Sequence, residues 1–303
     1  PRHIISPKDD TACVQKASVY AGATGEGIVG SEDCLYLDVT APIDFKDKSY
    51  PVMFWIHGGG NTSGLKDYYD YSKLVSTRGV VVVRTNYRLG ALGWFTHPSI
   101  QGSQEGTDKT SNFGTLDIIQ SLEWVQSNIS AFGGDPSNVT IFGESAGGHN
   151  VFALLSSPLA DGLFHKAISQ SGYTSSYSLE DAVNENGANR LIERGSSQII
   201  DRVFGTGVDK NLLKSKLKEM DARAFIGLYY QEDGIDSIPL TTRDGIVIPE
   251  IGLLEALSRS EYAKNIPVMA GANKDEVSLW HGLHRYFIAV SYTHLTLPTK
   301  QAV

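Results

Sequence analysis

Cysteine is almost absent from this 303-residue chain: only Cys13 and Cys34 occur, which excludes a disulfide-dense scaffold and a multi-cysteine metal cluster. Long apolar runs are lacking too, since the longest, such as Gly79 to Val83 (GVVVV), have strand length and are too short to span a bilayer. Positive charge is outnumbered, with 34 Asp and Glu against 26 Lys and Arg for a net charge of -8, and no basic stripe is formed. That balance repels a phosphate backbone and removes nucleic acid from the expected partners. Internal repeats and low-complexity stretches are missing as well. What remains, 41% hydrophobic and 20% charged, is the composition of a globular chain that buries a full core. The two cysteines fit either a reduced pair or one disulfide, and spacing alone does not choose between them. Residue 1 is Pro, and no charged, apolar, small-residue leader follows it.

What is present alternates between two periods. CLYLDV (34–39) is apolar at every second position, whereas PVMFWIH (51–57) and GVVVVRTNY (79–87) are nearly continuous apolar runs, as strands covered on both faces must be. A short helix ending at Gly79 is predicted between the last two. Leu116, Ile119, Leu122, Val125 and Ile129 recur three or four apart and predict a long amphipathic helix stopped by Gly133 and Gly134. Val139 to Phe142, KAISQSG (166–172) and IPVMAGAN (266–273) read as further buried strands. Repeated strand and helix units predict a mostly parallel sheet with helices on both faces. From Ser178 to Arg259 the pattern is polar and mainly helical, and it is expected as an insertion, about 178–259, over the carboxyl edge of the sheet, where open α/β sheets bind ligands.

Two motifs carry chemistry. Gly143-Glu144-Ser145-Ala146-Gly147 (G-x-S-x-G) is weak on its own in a chain with 31 glycines, but it sits directly after an apolar strand and directly before AGGHNVFALL, which is helix-compatible. Strand, sharp turn and helix are what a nucleophilic serine needs to be pushed outward. HGGG (57–60) follows the strand VMFWI, and consecutive glycines allow backbone N–H groups to converge on one point, as a tetrahedral oxyanion requires. A phosphate cradle is disfavoured because no Lys and Ser/Thr follow at P-loop spacing.

SEDCLYLDVTAP, VMFWIHGGG, TNYRLGALGWF, NFGTLDIIQSLEWVQSNISAFGGDPSNVTIFGESAGG, GLFHKAISQSG and GANKDE together resemble the type-B carboxylesterases of the α/β-hydrolase superfamily, above all bacterial carboxylesterases and para-nitrobenzyl esterases. The resemblance implies an α/β-hydrolase fold, incomplete at the C-terminus, over residues 1–290. It implies a serine carboxylesterase acting on small-molecule esters without cofactor or metal. By position, Ser145 resembles the nucleophile and Glu276 the acid of the triad, and the N–H groups of Gly59, Gly60 and Ala146 resemble the oxyanion hole. Arg88 and Asp117 resemble a structural ion pair. His57 stands before the glycines and is expected as a wall residue rather than the base. Cys13 and Cys34 resemble the ends of a disulfide loop of twenty residues, whose closure stabilises by about 3 kcal/mol in the chain-entropy model. It also points to a secreted or periplasmic protein, with the cytoplasm as the alternative. That loop has no Trp to face a quaternary ammonium, so choline esters are not the expected substrates. Asn61 stands where the family usually carries an aromatic residue.

The base is harder to find. In this superfamily it follows the acid, yet only His281, His284 and His294 come after Glu276. His281 and His284 come too soon and lack the expected setting. SYTHLTLPTK (291–300) does not resemble the family and reads like a translated sequencing adapter, so 291–303 is expected to be a non-native tail, His294 included. The family carries a further segment before the position of Cys13. The chain is therefore expected to be a fragment lacking its triad histidine and inactive by itself. A non-catalytic adhesion domain, or a lipase or thioesterase, is the alternative on the same fold.

Overall fold

The computed structural model describes residues 11–192, 194–230 and 238–276. It opens with an antiparallel hairpin of β1 (Gln15–Ser18) and β2 (Ala23–Val29). The main sheet comprises β3 (Leu37–Thr40), β4 (Tyr50–Ile56), β5 (Val81–Thr85), β6 (Gly134–Glu144), β7 (Lys166–Gln170) and β8 (Val268–Gly271), in the spatial order β3-β5-β4-β6-β7-β8. β3 runs antiparallel to β5, and the other neighbouring pairs are parallel. This is the mostly parallel sheet that the alternation predicts.

Burial explains why the central strands read as unbroken apolar runs. Side chains alternate across a sheet, yet Phe54, Trp55 and Ile56 are all buried, as are Val81, Val82 and Val83, so both faces are covered. The helix Phe113–Asn128 supplies Ile118, Ile119, Leu122 and Val125 to the same core, and a short 3-10 turn carries the chain to Gly133 in the left-handed conformation (φ 73°). The short helix before β5, Ser72–Arg78, ends on Gly79 as expected.

Several elements differ from the sequence reading, among them β8, which forms at the sheet edge but is exposed rather than buried. The hairpin β1 and β2 was not expected, since the glycines of ATGEGIV and a largely exposed face hide the alternation. β3 starts at Leu37 because Cys34 to Tyr36 is spent on a turn beside the disulfide, with the amide of Tyr36 donating to the Cys34 carbonyl at 2.7 Å. Among the described residues of 178–259, helix comes in short pieces, including Ser196–Phe204, Lys210–Glu219 and Ala222–Gly227. Around 240–252 the carboxylate of Asp244 instead accepts the amides of Ile246, Val247 and Ile248 at 3.1, 3.0 and 3.1 Å, which holds a loop. The helices of this region share a second core, Ile199, Ile200, Leu213, Phe225 and Ile226, with Val14 of the N-terminal part and with Ala91 and Phe95.

Candidate active site

At the carboxyl end of β6 the chain turns sharply through Ser145 (φ 58°, ψ -120°) into the helix Ala146–Ser156. An L-residue rarely adopts that conformation, and it persists only where the surroundings over-determine it. They do so here: the Ser145 amide donates to the carbonyl of Gln170 on β7 at 2.8 Å, and the Ser145 carbonyl accepts from the His149 amide at 2.9 Å. Gly147 is obligatory at the bend, because a Cβ there would lie 2.1 Å from the carbonyl oxygen of Ile56. Ser145 is half-buried, and among the described residues its hydroxyl meets no hydrogen-bond partner.

The glycine run after β4 lies against this serine. A Cβ on Gly58 would fall 3.2 Å from the Ser145 Cβ and 2.7 Å from the Glu144 carbonyl oxygen. The carbonyl of Gly59 turns inward, accepting the amides of Thr62 and Ser63 at 3.1 and 3.0 Å and the Ser63 hydroxyl at 3.1 Å. In a planar trans peptide the following N–H points the opposite way. The Gly60 amide is therefore aimed outward, and so is that of Gly59, since the Gly58 carbonyl is held by Nδ1 of His57 at 2.8 Å. Ala146 opens its helix, where the first amides have no intrahelical acceptor. Among the described residues, none accepts from the N–H groups of Gly59, Gly60 or Ala146.

Glu276 follows the end of β8, and the Ser171 amide stitches β7 to β8 by donating to the Gly271 carbonyl at 2.6 Å. The Glu276 carboxylate accepts the Asn273 amide at 2.9 Å. It stands near enough to Glu144 to act on it: burial, and then the charge of Glu276, raise the Glu144 carboxyl above its usual range. Beside Glu144 a cavity of about 70 Å³ is lined by His57, Gly58, Gly59, Tyr68 and Tyr69, with Ala21 reaching it from the disulfide loop.

None of the described histidines, His57, His97, His149 and His165, is hydrogen-bonded to the Ser145 hydroxyl; His97 takes Ser99 and His165 the Val139 amide instead. His57 is buried and stacked on Tyr87 with ring centroids 4.3 Å apart. Burial lowers its pKa to about 4 against the opposing pull of the Gly58 carbonyl. His149 is committed at both ring nitrogens, Nδ1 to the Tyr173 carbonyl at 2.8 Å and Nε2 to the Thr241 hydroxyl at 2.7 Å, and burial lowers it to about 4 as well. His281, His284 and His294 lie outside the described residues, as does the whole of 291–303.

The supporting pairs fall where the resemblance puts them. Cys13 and Cys34 form a buried disulfide that ties the hairpin to the start of β3, and Arg88 grips Asp117 with two guanidinium bonds of 2.8 and 2.6 Å. Among the described residues no group of three or more His, Cys, Asp and Glu could hold a metal ion, and no helix is long and apolar enough to cross a membrane.

What the sequence reading of Asn61 missed is its partners. Asn61, fully buried and left-handed (φ 58°), takes its side-chain oxygen to Nδ2 of Asn150 at 2.9 Å and to the Tyr87 hydroxyl at 3.3 Å. The same hydroxyl donates to the His57 carbonyl at 2.6 Å. The available signal was Asn61 itself, a polar residue in an aromatic position, together with Asn150 on the inner face of a helix.

A serine on a strained bend between strand and helix, at the carboxyl edge of a mostly parallel sheet, defines the α/β-hydrolase fold. Residues 6–288 match the model of the carboxylesterase family, and the chain belongs to that family. It is 39% identical over 258 residues to liver carboxylesterase B-1 of Rattus norvegicus, covering 81% of this chain and 43% of the relative. Over 143 residues it is 52% identical to the medium-chain fatty acyl-CoA hydrolase precursor of Anas platyrhynchos, covering 47% of this chain and 24% of the relative. A solved PNB esterase superposes with a TM-score of 0.70 at 34% identity, over 85% of this chain and 54% of that one. The chain thus spans about half the length of the relatives it matches.

Proposed function

We propose that the protein to which this chain belongs is a serine carboxylesterase. The conformation of Ser145 carries the reading: a half-buried nucleophile on a strained bend, its hydroxyl uncommitted, with the Gly58–Gly60 backbone against it. Ser145 Oγ attacks the ester carbonyl and a histidine takes its proton. The Gly59, Gly60 and Ala146 amides receive the charge that develops on the former carbonyl oxygen, and Glu276 steadies the imidazolium. Collapse of the tetrahedral adduct releases the alcohol with the proton returned by the histidine. Water then hydrolyses the acyl-enzyme by the same proton route.

Among the described residues no histidine bonds the Ser145 hydroxyl, and by the resemblance His281 and His284 come too soon after Glu276 to suit the part. The chain by itself is therefore expected to turn over little ester, keeping only the residual effect of binding and oxyanion stabilisation. Residues 1–290 would be the partial hydrolase domain and 291–303 a non-native tail; sequencing the source locus tests this, and a natural gene encoding SYTHLTLPT would refute it. The disulfide favours an oxidising compartment, hence export.

The test is labelling of the full-length protein with an organophosphonate. Adduct on Ser145, lost in Ser145→Ala, supports the hydrolase. Absence of any adduct favours the non-catalytic adhesion domain. The likeness to a fatty acyl-CoA hydrolase gives thioester hydrolysis weight as a second reading. A panel of short esters, long-chain triglycerides and acyl thioesters ranks these activities by kcat/KM.

A further inference from the structure

If Gly59 and Gly60 supply oxyanion amides to Ser145, the run from His57 to Asn61 must hold both although three successive residues, Gly59 (φ 104°), Gly60 (φ 65°) and Asn61 (φ 58°), adopt left-handed conformations. Glycine imposes no conformation of its own, so the run needs clamps at both ends. At one end the Tyr87 hydroxyl holds the His57 carbonyl at 2.6 Å. At the other, the Asn61 carbonyl accepts the Gly90 amide at 2.7 Å, and the Asn61 side chain is held by Nδ2 of Asn150 at 2.9 Å. Asn150 lies one turn beyond Ala146 on the helix that Ser145 caps. The bond between the two carboxamides therefore joins the element that carries the nucleophile to the loop that carries the oxyanion donors. Exchanging oxygen and nitrogen in both amides reverses the donor and keeps the bond.

We propose that Asn150 and Asn61, with Tyr87, are positioning residues that set the Gly59 and Gly60 amides at the distance from Ser145 that the transition state requires. The role rests on the esterase reading above. It is distinct from general stability, because it acts on the reacting geometry: misplacing such donors by about 1 Å costs on the order of 100-fold in rate, whereas ground-state binding is little changed.

The experiment uses the full-length protein, a short-chain ester and a trifluoromethyl ketone, which adds to the nucleophilic serine and places an oxyanion in the hole. Asn150→Ala is expected to lower kcat by about 10–100-fold with KM within about twofold, and to weaken the ketone by the same factor. Asn61→Gly accepts the left-handed backbone and should behave alike. The double variant should be no worse than Asn61→Gly, because Asn150 acts through Asn61. Should Asn150→Ala fail to fold, Asn61→Gly and Tyr87→Phe carry the test by the same readouts. The proposal is overturned by folded single variants with unchanged kcat, by a fall in kcat without loss of ketone affinity, or by additive losses in the double variant. Activity that survives Ser145→Ala overturns the esterase reading and this proposal with it; the preceding outcomes, with Ser145→Ala inactive, overturn this proposal alone.

Discussion

The amide of Ser145 donates to the carbonyl of Gln170 at 2.8 Å, so the residue at the sharpest bend of the chain is pinned to the next strand by its own backbone. The bond helps to hold φ at 58°, against the intrinsic preference of any residue with a Cβ. Ser145→Gly should relieve that strain, raising stability by about 1–3 kcal/mol while abolishing turnover, whereas Ser145→Ala abolishes turnover without the gain. Thermal unfolding of the two variants side by side checks it, and equal melting temperatures would dismiss the idea of stored strain.

Gly147→Ala forces a methyl group to within 2.1 Å of the Ile56 carbonyl oxygen, backbone that cannot swing aside. Overpacking of this kind costs about 1–3 kcal/mol and moves the helix start that orients Ser145. A stability loss of that size, with a fall in kcat of about 100-fold or more in the full-length protein, is the expected result. Denaturant unfolding and initial rates measure the two effects separately.

Reduction of Cys13–Cys34, or Cys34→Ser, should lower stability by about 3 kcal/mol through release of the loop that contains the hairpin. The midpoint of urea unfolding with and without reductant reads the change. Both sulfurs are buried, so slow reduction of the folded protein is expected.

Stability should decline as pH falls through the range from about 6.5 toward 4. His57 and His149 are held neutral by burial, with folded-state pKa values of about 4 against 6.5 in the unfolded chain. In that window the unfolded state binds more protons, so the stabilisation present above pH 6.5 is lost progressively and levels off below 4. His149→Gln should flatten the slope of melting temperature against pH; an unchanged slope would show that His149 does not titrate as its burial requires.

Arg88→Ala leaves the buried carboxylate of Asp117 without its guanidinium partner. The arginine is 38% exposed, so the expected loss is about 2 kcal/mol, below that for a fully buried pair. Asp117→Asn should cost less, because the asparagine still accepts the Arg88 backbone amide that now bonds the carboxylate at 3.0 Å. Melting temperatures of the two variants decide the order.

The bend at Ser145 was legible because the physics is local: an apolar strand, small residues at Gly143 and Gly147, then a helix-compatible run. The parallel core was legible because strands covered on both faces leave continuous apolar runs. The hairpin before Cys34 was not, since its residues are mostly exposed and glycine-rich, and it is held by pairing and by a cross-link rather than by burial. β6 was expected only from Val139, because Gly134 and Pro136 read as turn residues; it starts earlier because Gly134 pairs with Tyr50 across a register shift. The link between Asn61 and Asn150 spans 89 positions, and no periodicity in the sequence reports which of two distant amides will meet.

Asn61, Thr62 and Ser63 also spell an acceptor site for N-linked sugar. The carboxamide that would receive it is fully enclosed, its oxygen bonded to Asn150 and Tyr87, so a sugar on its nitrogen and the folded packing around it exclude each other. A secretory host that decorates nascent chains would divide its product in two: bare molecules with an ordered oxyanion loop, and sugar-bearing ones unable to close it.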